Sequence, residues 1–247
     1  RRVQLFLRCP RRRFKSMADL VDWLGGAATS ALTTHAADDE LRPTIADASY
    51  RAGINTAGVE RLLKKVKETS PAWYEKCAQV LRGEPYTFSQ GWQDWYLWHN
   101  VYRDEPNAYE WGRGFYLDIG SNHPTVTSNT LFFDKCLGWQ GVCFEPQARY
   151  NSTTRRHRSC KLVESCVLGS RQSVVFSGYG PAGRLIDVVS HPERMEKTSL
   201  ERANPTNTER KQCVVAAEAL AELGYRGRKI DLLSIDVEGA EASVMRC

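Results

Sequence analysis

The sequence is most informative first in what it lacks. No apolar run approaches the ~18 residues needed for a membrane-spanning helix, so no such span lies within the 247 residues. No pair of CxxC motifs gives the spacing of a structural zinc site, although there are eight cysteines. No GxGxxG follows any apolar run, which argues against a cradle for a dinucleotide pyrophosphate. Residues 1–15 hold no acid but seven of the 34 basic residues, so the rest of the chain carries 27 basic against 29 acidic side chains. The formal charge of +5 is therefore local to one arm, and a basic groove for nucleic acid is not indicated. The chain opens on Arg rather than Met, so this arm is expected to be the remnant of an upstream anchor or targeting segment. What is present, 42% apolar and 10% aromatic residues, is enough for a packed core.

One stretch organises the remainder. Gly114-Phe115-Tyr116-Leu117-Asp118 is a short apolar run ending on an acid, the pattern of a buried strand with a carboxylate at its tip. Ile119-Gly120-Ser121-Asn122-His123-Pro124 is loop chemistry, and residues 125–136 read as a helix stopped by Gly138. Strand, tight loop and helix make the first crossover of a doubly wound α/β sheet, in which ligands bind at the carboxyl ends of the strands. Gly141-Val142-Cys143-Phe144-Glu145-Pro146 repeats the logic, and an acid at the tip of a second strand is placed to accept hydrogen bonds from ribose hydroxyls. Residues 161–168 are expected as a third strand and 172–176 as an extra hairpin strand. The polar stretch from 178 to 211 has the length of an insertion or mobile loop. A helix over 214–223 then leads, through a motif that opens at Lys229, into a fourth strand near 231–236, whose carboxyl end crowds Asp236, Glu238 and Glu241 together. Like charges so close raise one another's pKa unless a cation sits among them.

Residues 1–88 read as a helical N-terminal extension, with helices at 16–24, 56–67 and from Ser70-Pro71 to Gly83. Residues 89–100 carry three Trp and a Tyr, which most simply cover a core, while Gln93 and Asp94 are polar exceptions able to face the cleft. The cysteines are expected mainly as buried thiols, with one or two disulfides as the alternative. Asn151-Ser152-Thr153 is a glycosylation triplet of a kind that also arises by chance.

Taken together, Ser89-Gln90-Gly91-Trp92-Gln93-Asp94, Asp118-Ile119-Gly120-Ser121-Asn122, Phe144-Glu145-Pro146 and Ile235-Asp236-Val237-Glu238-Gly239-Ala240-Glu241 resemble the FkbM-type S-adenosylmethionine-dependent methyltransferases. The chain departs from that pattern at Pro124, where many members have Gly, and at Ser234, where many have Lys. The resemblance implies a Rossmann-like methyltransferase domain over 89–247, with S-adenosylmethionine as cofactor and a hydroxyl on a sugar or other small metabolite as acceptor. Candidate cofactor contacts are Asp118, Gly120, Asn122 and Glu145. Candidate bases for the acceptor hydroxyl are Asp236, then Glu238, with His123 third. A nicotinamide-dependent oxidoreductase and a non-catalytic binding module on the same fold are the alternatives. Related domains have seven strands, so the chain is expected to hold about half the sheet, to leave the fourth strand as an edge, and to be marginal and prone to associate alone.

Overall fold

A computed structural model describes residues 5–7, 32–33, 53–178, 183–185 and 208–245. The helix expected at 16–24 lies outside them. Two short strands, β1 (Leu5–Leu7) and β2 (Leu32–Thr33), precede helices α1 (Thr56–Thr69) and α2 (Tyr74–Leu81). Helix α1 starts where the Asn55 side chain accepts the Gly58 amide, and it buries Val59, Leu62, Leu63 and Val66 on one face, as their spacing predicts. Pro71 opens a 3₁₀ turn that leads into α2. Helix α3 (Gln93–Leu97) runs straight into a wider π turn over Trp98–Tyr102. Most of the aromatic side chains here are core: Trp95, Trp98 and Tyr102 are buried, while Tyr96 is partly exposed.

The parallel sheet follows. Strand β3 (Phe115–Ile119) is buried at every position and is followed by α4 (Leu131–Leu137). Next come β4 (Gln140–Phe144), α5 (Asn151–His157) and β5 (Lys161–Val163). The sheet is completed, much later in the chain, by β10 (Leu232–Ile235), after helix α6 (Ala216–Glu222) and before the single turn α7 (Glu241–Val244). Its order is β2-β1-β10-β3-β4-β5, with β10, β3, β4 and β5 mutually parallel. Side chains alternate across it. Tyr116, Cys143 and Leu232 face a core shared with α1, α2, α3 and α4, while Phe115, Leu117, Ile119, Val142 and Phe144 face α6 and Val244. Helices thus cover both faces, which is why these strands read as continuous apolar runs.

Three expectations are corrected. Strand β10 is not an edge: β1 pairs with it antiparallel, Leu5 opposite Ile235, and β2 extends β1. The segment expected as one third strand breaks at Glu164-Ser165. Its second half, β6 (Cys166–Val167), joins a separate four-stranded sheet of order β6-β9-β7-β8, with β7 (Gln172–Ser177), β8 (Arg184–Leu185) and β9 (Thr208–Val214). Strand β9 occupies the end of the polar stretch expected as loop. It was hidden because its first five residues, Thr208 to Gln212, are polar or charged and only Cys213 is buried. Third, the six cysteines among the described residues are not free thiols. Cys77–Cys136 joins α2 to α4, Cys143–Cys160 joins β4 to the residue before β5, and Cys166–Cys213 joins β6 to β9 at opposing register positions. With 17 to 59 residues between partners, each bridge is worth roughly 3–4 kcal/mol by loop-closure entropy.

Candidate functional site

The strand order reverses at β3, with β4 on one side and β10 on the other, so the ligand crevice of such a sheet lies beyond the carboxyl ends of these strands. Three strand tips are tied together there through the backbone. The Gly120 and Ser121 amides both donate to the Phe144 carbonyl, at 3.0 and 3.1 Å, and the Asp236 amide donates to the Ile119 carbonyl at 2.9 Å. Gly120 has φ of 81°, and a Cβ placed on it would lie 2.0 Å from the Asp236 carbonyl oxygen. No other residue fits where these two tips cross.

Above the tips is a partly open pocket, placed where the ligand sites of such sheets lie. Its floor is Gly120, Ser121 and Asn122; Glu145-Pro146-Gln147 form one wall and Asp236-Val237-Glu238 the opposite one. The second sheet closes the remaining side with Cys166, Val167, Phe176 and Leu185, and Gln90 reaches in from the turn before α3. All six candidate residues, Asp118, Gly120, Asn122, Glu145, Asp236 and Glu238, line this one pocket. Asn122, Thr127 and Glu238 all line it with positive φ, at 48°, 51° and 52°. Such strain is held only where surrounding contacts over-determine the backbone.

Glu145 is a strongly perturbed acid of this pocket. It is 2% exposed, and its carboxylate accepts the Asn122 amide at 2.6 Å and the Gln147 amide at 2.8 Å. Burial pushes its carboxyl up to about 7, against the pull of those two amides. Asp118, equally buried, is raised by burial and held back by the Arg158 charge and by hydroxyl donors from Thr130 and Ser234. Three buried polar atoms on the lining have no hydrogen-bond partner: Ser121 Oγ, Asn122 Oδ1 and Asn129 Oδ1. Each such atom costs about 1–3 kcal/mol unless a ligand or water completes it. They are the mark of a site built around a polar guest.

A family model for the methyltransferase FkbM domain matches residues 118–246. The chain belongs to the FkbM methyltransferase family. No curated protein and no solved structure matches it. The match begins on the acid at the tip of β3, so the family-defining segment runs through all three tips that frame the pocket. Among the described residues, no helix of this FkbM chain is long and apolar enough to cross a membrane.

The FkbM domain rests on a side chain the motifs do not include. Arg158, just past α5, is fully buried and makes five hydrogen bonds: to Asp134 at 2.8 Å, the Pro124 carbonyl at 3.4 Å, Ser128 at 3.0 Å, Tyr116 at 3.2 Å and Thr130 at 2.6 Å. Thr130 in turn donates to Asp118 at 2.6 Å. Burial alone would raise Asp134, but Arg158 and Lys135 hold its carboxyl below the ordinary value. The loop from Ser121 to Thr130 is therefore fastened from beneath, and this is why the helix expected over 125–136 begins only at Leu131. Ser234, one of the two departures from the family pattern, is buried, accepts the Asn129 amide at 3.3 Å and donates to Asp118.

Other expected residues sit elsewhere. His123 does not line the pocket: its Nδ1 accepts the Thr125 and Val126 amides, and its ring meets Tyr150 edge-on. Asp94 is fully buried away from the cleft, accepting the Phe88 amide and the Ser89 and Thr87 hydroxyls. Glu241 starts α7 and accepts the Val237 and Gly239 amides, so it braces the turn that carries Glu238. Gln90 and Asn129 were missed as pocket residues. Gln90 stood in a quoted motif, and Asn129 was hidden inside a stretch read as helix.

Proposed function

We propose that this methyltransferase uses S-adenosylmethionine and methylates a hydroxyl of a sugar or other small metabolite. The observation that carries the reading is the convergence of Asp118, Gly120, Asn122 and Glu145 with Asp236 and Glu238 on one pocket that also holds three unsatisfied polar atoms. When bound, the cofactor supplies an electrophilic methyl group on a sulfonium. The chain's part is to place an acceptor oxygen in line with that methyl, to take its proton, and to keep water out. Glu145 accepts hydrogen bonds from a vicinal diol through carboxylate lone pairs not used by Asn122 and Gln147. Gly120 lets the backbone approach the ligand closely, and Ser121, Asn122 and Asn129 offer the acceptors that an ammonium and hydroxyls complete. Asp236, first, and Glu238, second, take the proton of the acceptor hydroxyl. Phe176, Val167 and Leu185 give an apolar roof that strengthens these contacts by excluding solvent.

Titration calorimetry of the chain with S-adenosylmethionine and, separately, with NAD tests the reading. Saturable binding of the first and none of the second is expected. Binding of NAD alone would replace the methyltransfer reading with hydride chemistry, and binding of neither would remove the cofactor assignment.

A further inference from the structure

We propose that Asn151 carries an N-linked glycan and that the domain matures in an oxidising, secretory-type compartment. This is independent of the reaction proposed above and rests on features away from its chemistry. Six of the eight cysteines are joined in three bridges. A cytosol kept reduced by glutathione and thioredoxin does not sustain such a set, whereas secretory compartments do. Forming each bridge releases two protons and two electrons to an oxidised disulfide-exchange partner, which such a compartment contains. The bridges are also not surface ornaments. Cys77, Cys136 and Cys143 are fully buried, and Cys166 and Cys213 nearly so, so the bridges lie within the packed interior.

The second observation is the triplet Asn151-Ser152-Thr153, the acceptor pattern for oligosaccharide transfer in that kind of compartment. It opens α5 on the surface, with Ser152 exposed and Asn151 half-buried. Asn151 Nδ2 donates to the exposed Glu164 carboxylate, which also pairs with Arg155. Glycosylation would join Nδ2 to the anomeric carbon of a lipid-pyrophosphate-linked sugar. The anomeric C–O bond breaks, and the pyrophosphate leaves with one amide proton. One N–H remains on Nδ2, so the nitrogen keeps a donor of the kind that Glu164 accepts. None of residues 148–164 lines the pocket, so a glycan at this position leaves the pocket open. The cystines and the triplet thus name the same compartment by unrelated chemistry.

The full chain, secreted from a eukaryotic cell behind a heterologous signal, tests this. The parent should run above its polypeptide mass, and peptide-N-glycosidase should remove the excess while converting Asn151 to Asp. Asn151→Gln and Thr153→Ala should abolish the excess mass, and Thr153→Ser should keep it, with cofactor binding unchanged in all three. Alkylation of the denatured, unreduced protein should leave the six bridge cysteines unmodified. A secreted parent at the unmodified mass, an excess mass that survives Asn151→Gln, or alkylation of those six cysteines without reductant would each overturn the proposal.

Discussion

The two turns that frame the pocket are built in opposite ways. The β3–α4 loop has two non-glycine residues with positive φ, and it is fixed from below by Arg158 and from the side by Glu145. Nearly every group that holds it is buried. The β10–α7 turn also carries a strained residue, Glu238, yet its side-chain brace is the half-buried Glu241. The first is pre-organised at the cost of buried charge, and the second is lightly held. On the proposed function the rigid loop seats the cofactor, and the lightly held turn meets the acceptor, where residues can change without disturbing the core.

The sharpest way to break the comparison is chemical. Asp236→Asn keeps the shape of the lightly held turn and removes its basicity, so methyl transfer to a panel of sugar hydroxyls should fall by about 10²–10⁴ with cofactor affinity unchanged. A parent-like rate would leave Asp236 a purely structural residue. On the rigid side, Arg158→Met removes the buried guanidinium from Asp134, which keeps Lys135 and Ser159, and leaves Tyr116, Ser128 and Thr130 short of a partner. Loss of one member of a buried pair costs about 3–5 kcal/mol, to be read by denaturant unfolding, and a loss under 1 kcal/mol would show that the loop holds itself.

Glu145 gives a pH-dependent test. Its carboxyl is raised from 4.5 to about 7 by burial, so the folded chain keeps a proton that the unfolded chain has released. That advantage is complete below about pH 4.5 and is lost as pH rises through 7, where ionised Glu145 costs about 3 kcal/mol relative to acid conditions. Parent stability should therefore fall between pH 5 and pH 8 relative to Glu145→Gln, while S-adenosylmethionine binding tightens because hydroxyl donors favour the ionised form. Parallel pH profiles for parent and variant would remove the perturbed carboxyl. The smallest effect belongs to Glu241→Gln, which keeps one acceptor oxygen and should cost about 0.5–1 kcal/mol with cofactor affinity unaltered. If it proved as damaging as Arg158→Met, the two turns would be equally rigid.

What was legible in the sequence follows the same division. Strands β3, β4 and β10 announced themselves because a parallel strand buried on both faces reads as an apolar run, and each tip acid marked where the run meets the crevice. Asp118, Glu145, Asp236 and Glu238 could be placed for that reason. Arg158 could not, because its partners Tyr116, Pro124, Ser128, Thr130 and Asp134 lie 24 to 42 residues earlier and share no periodic pattern with it. In the second sheet β7 was legible as a hairpin strand and β6 as part of the third strand, while β9 stayed hidden because its first five residues are polar or charged. Bridge partners were illegible too, since cysteine connectivity is a property of the folded geometry and not of spacing.

The position of β10 has a kinetic consequence. It is the last of the described strands yet sits between β3 and β1, and β1 comes from the opposite end of the described residues. Until residue 235 has been made, β3 has no partner on that side and β1 can pair only with β2. The main sheet therefore assembles from its β3–β4–β5 half outward and closes only after synthesis has passed the pocket's far wall. Contacts this distant in sequence make for slow folding, and during the delay the open flank of β3 is the surface most in need of a chaperone.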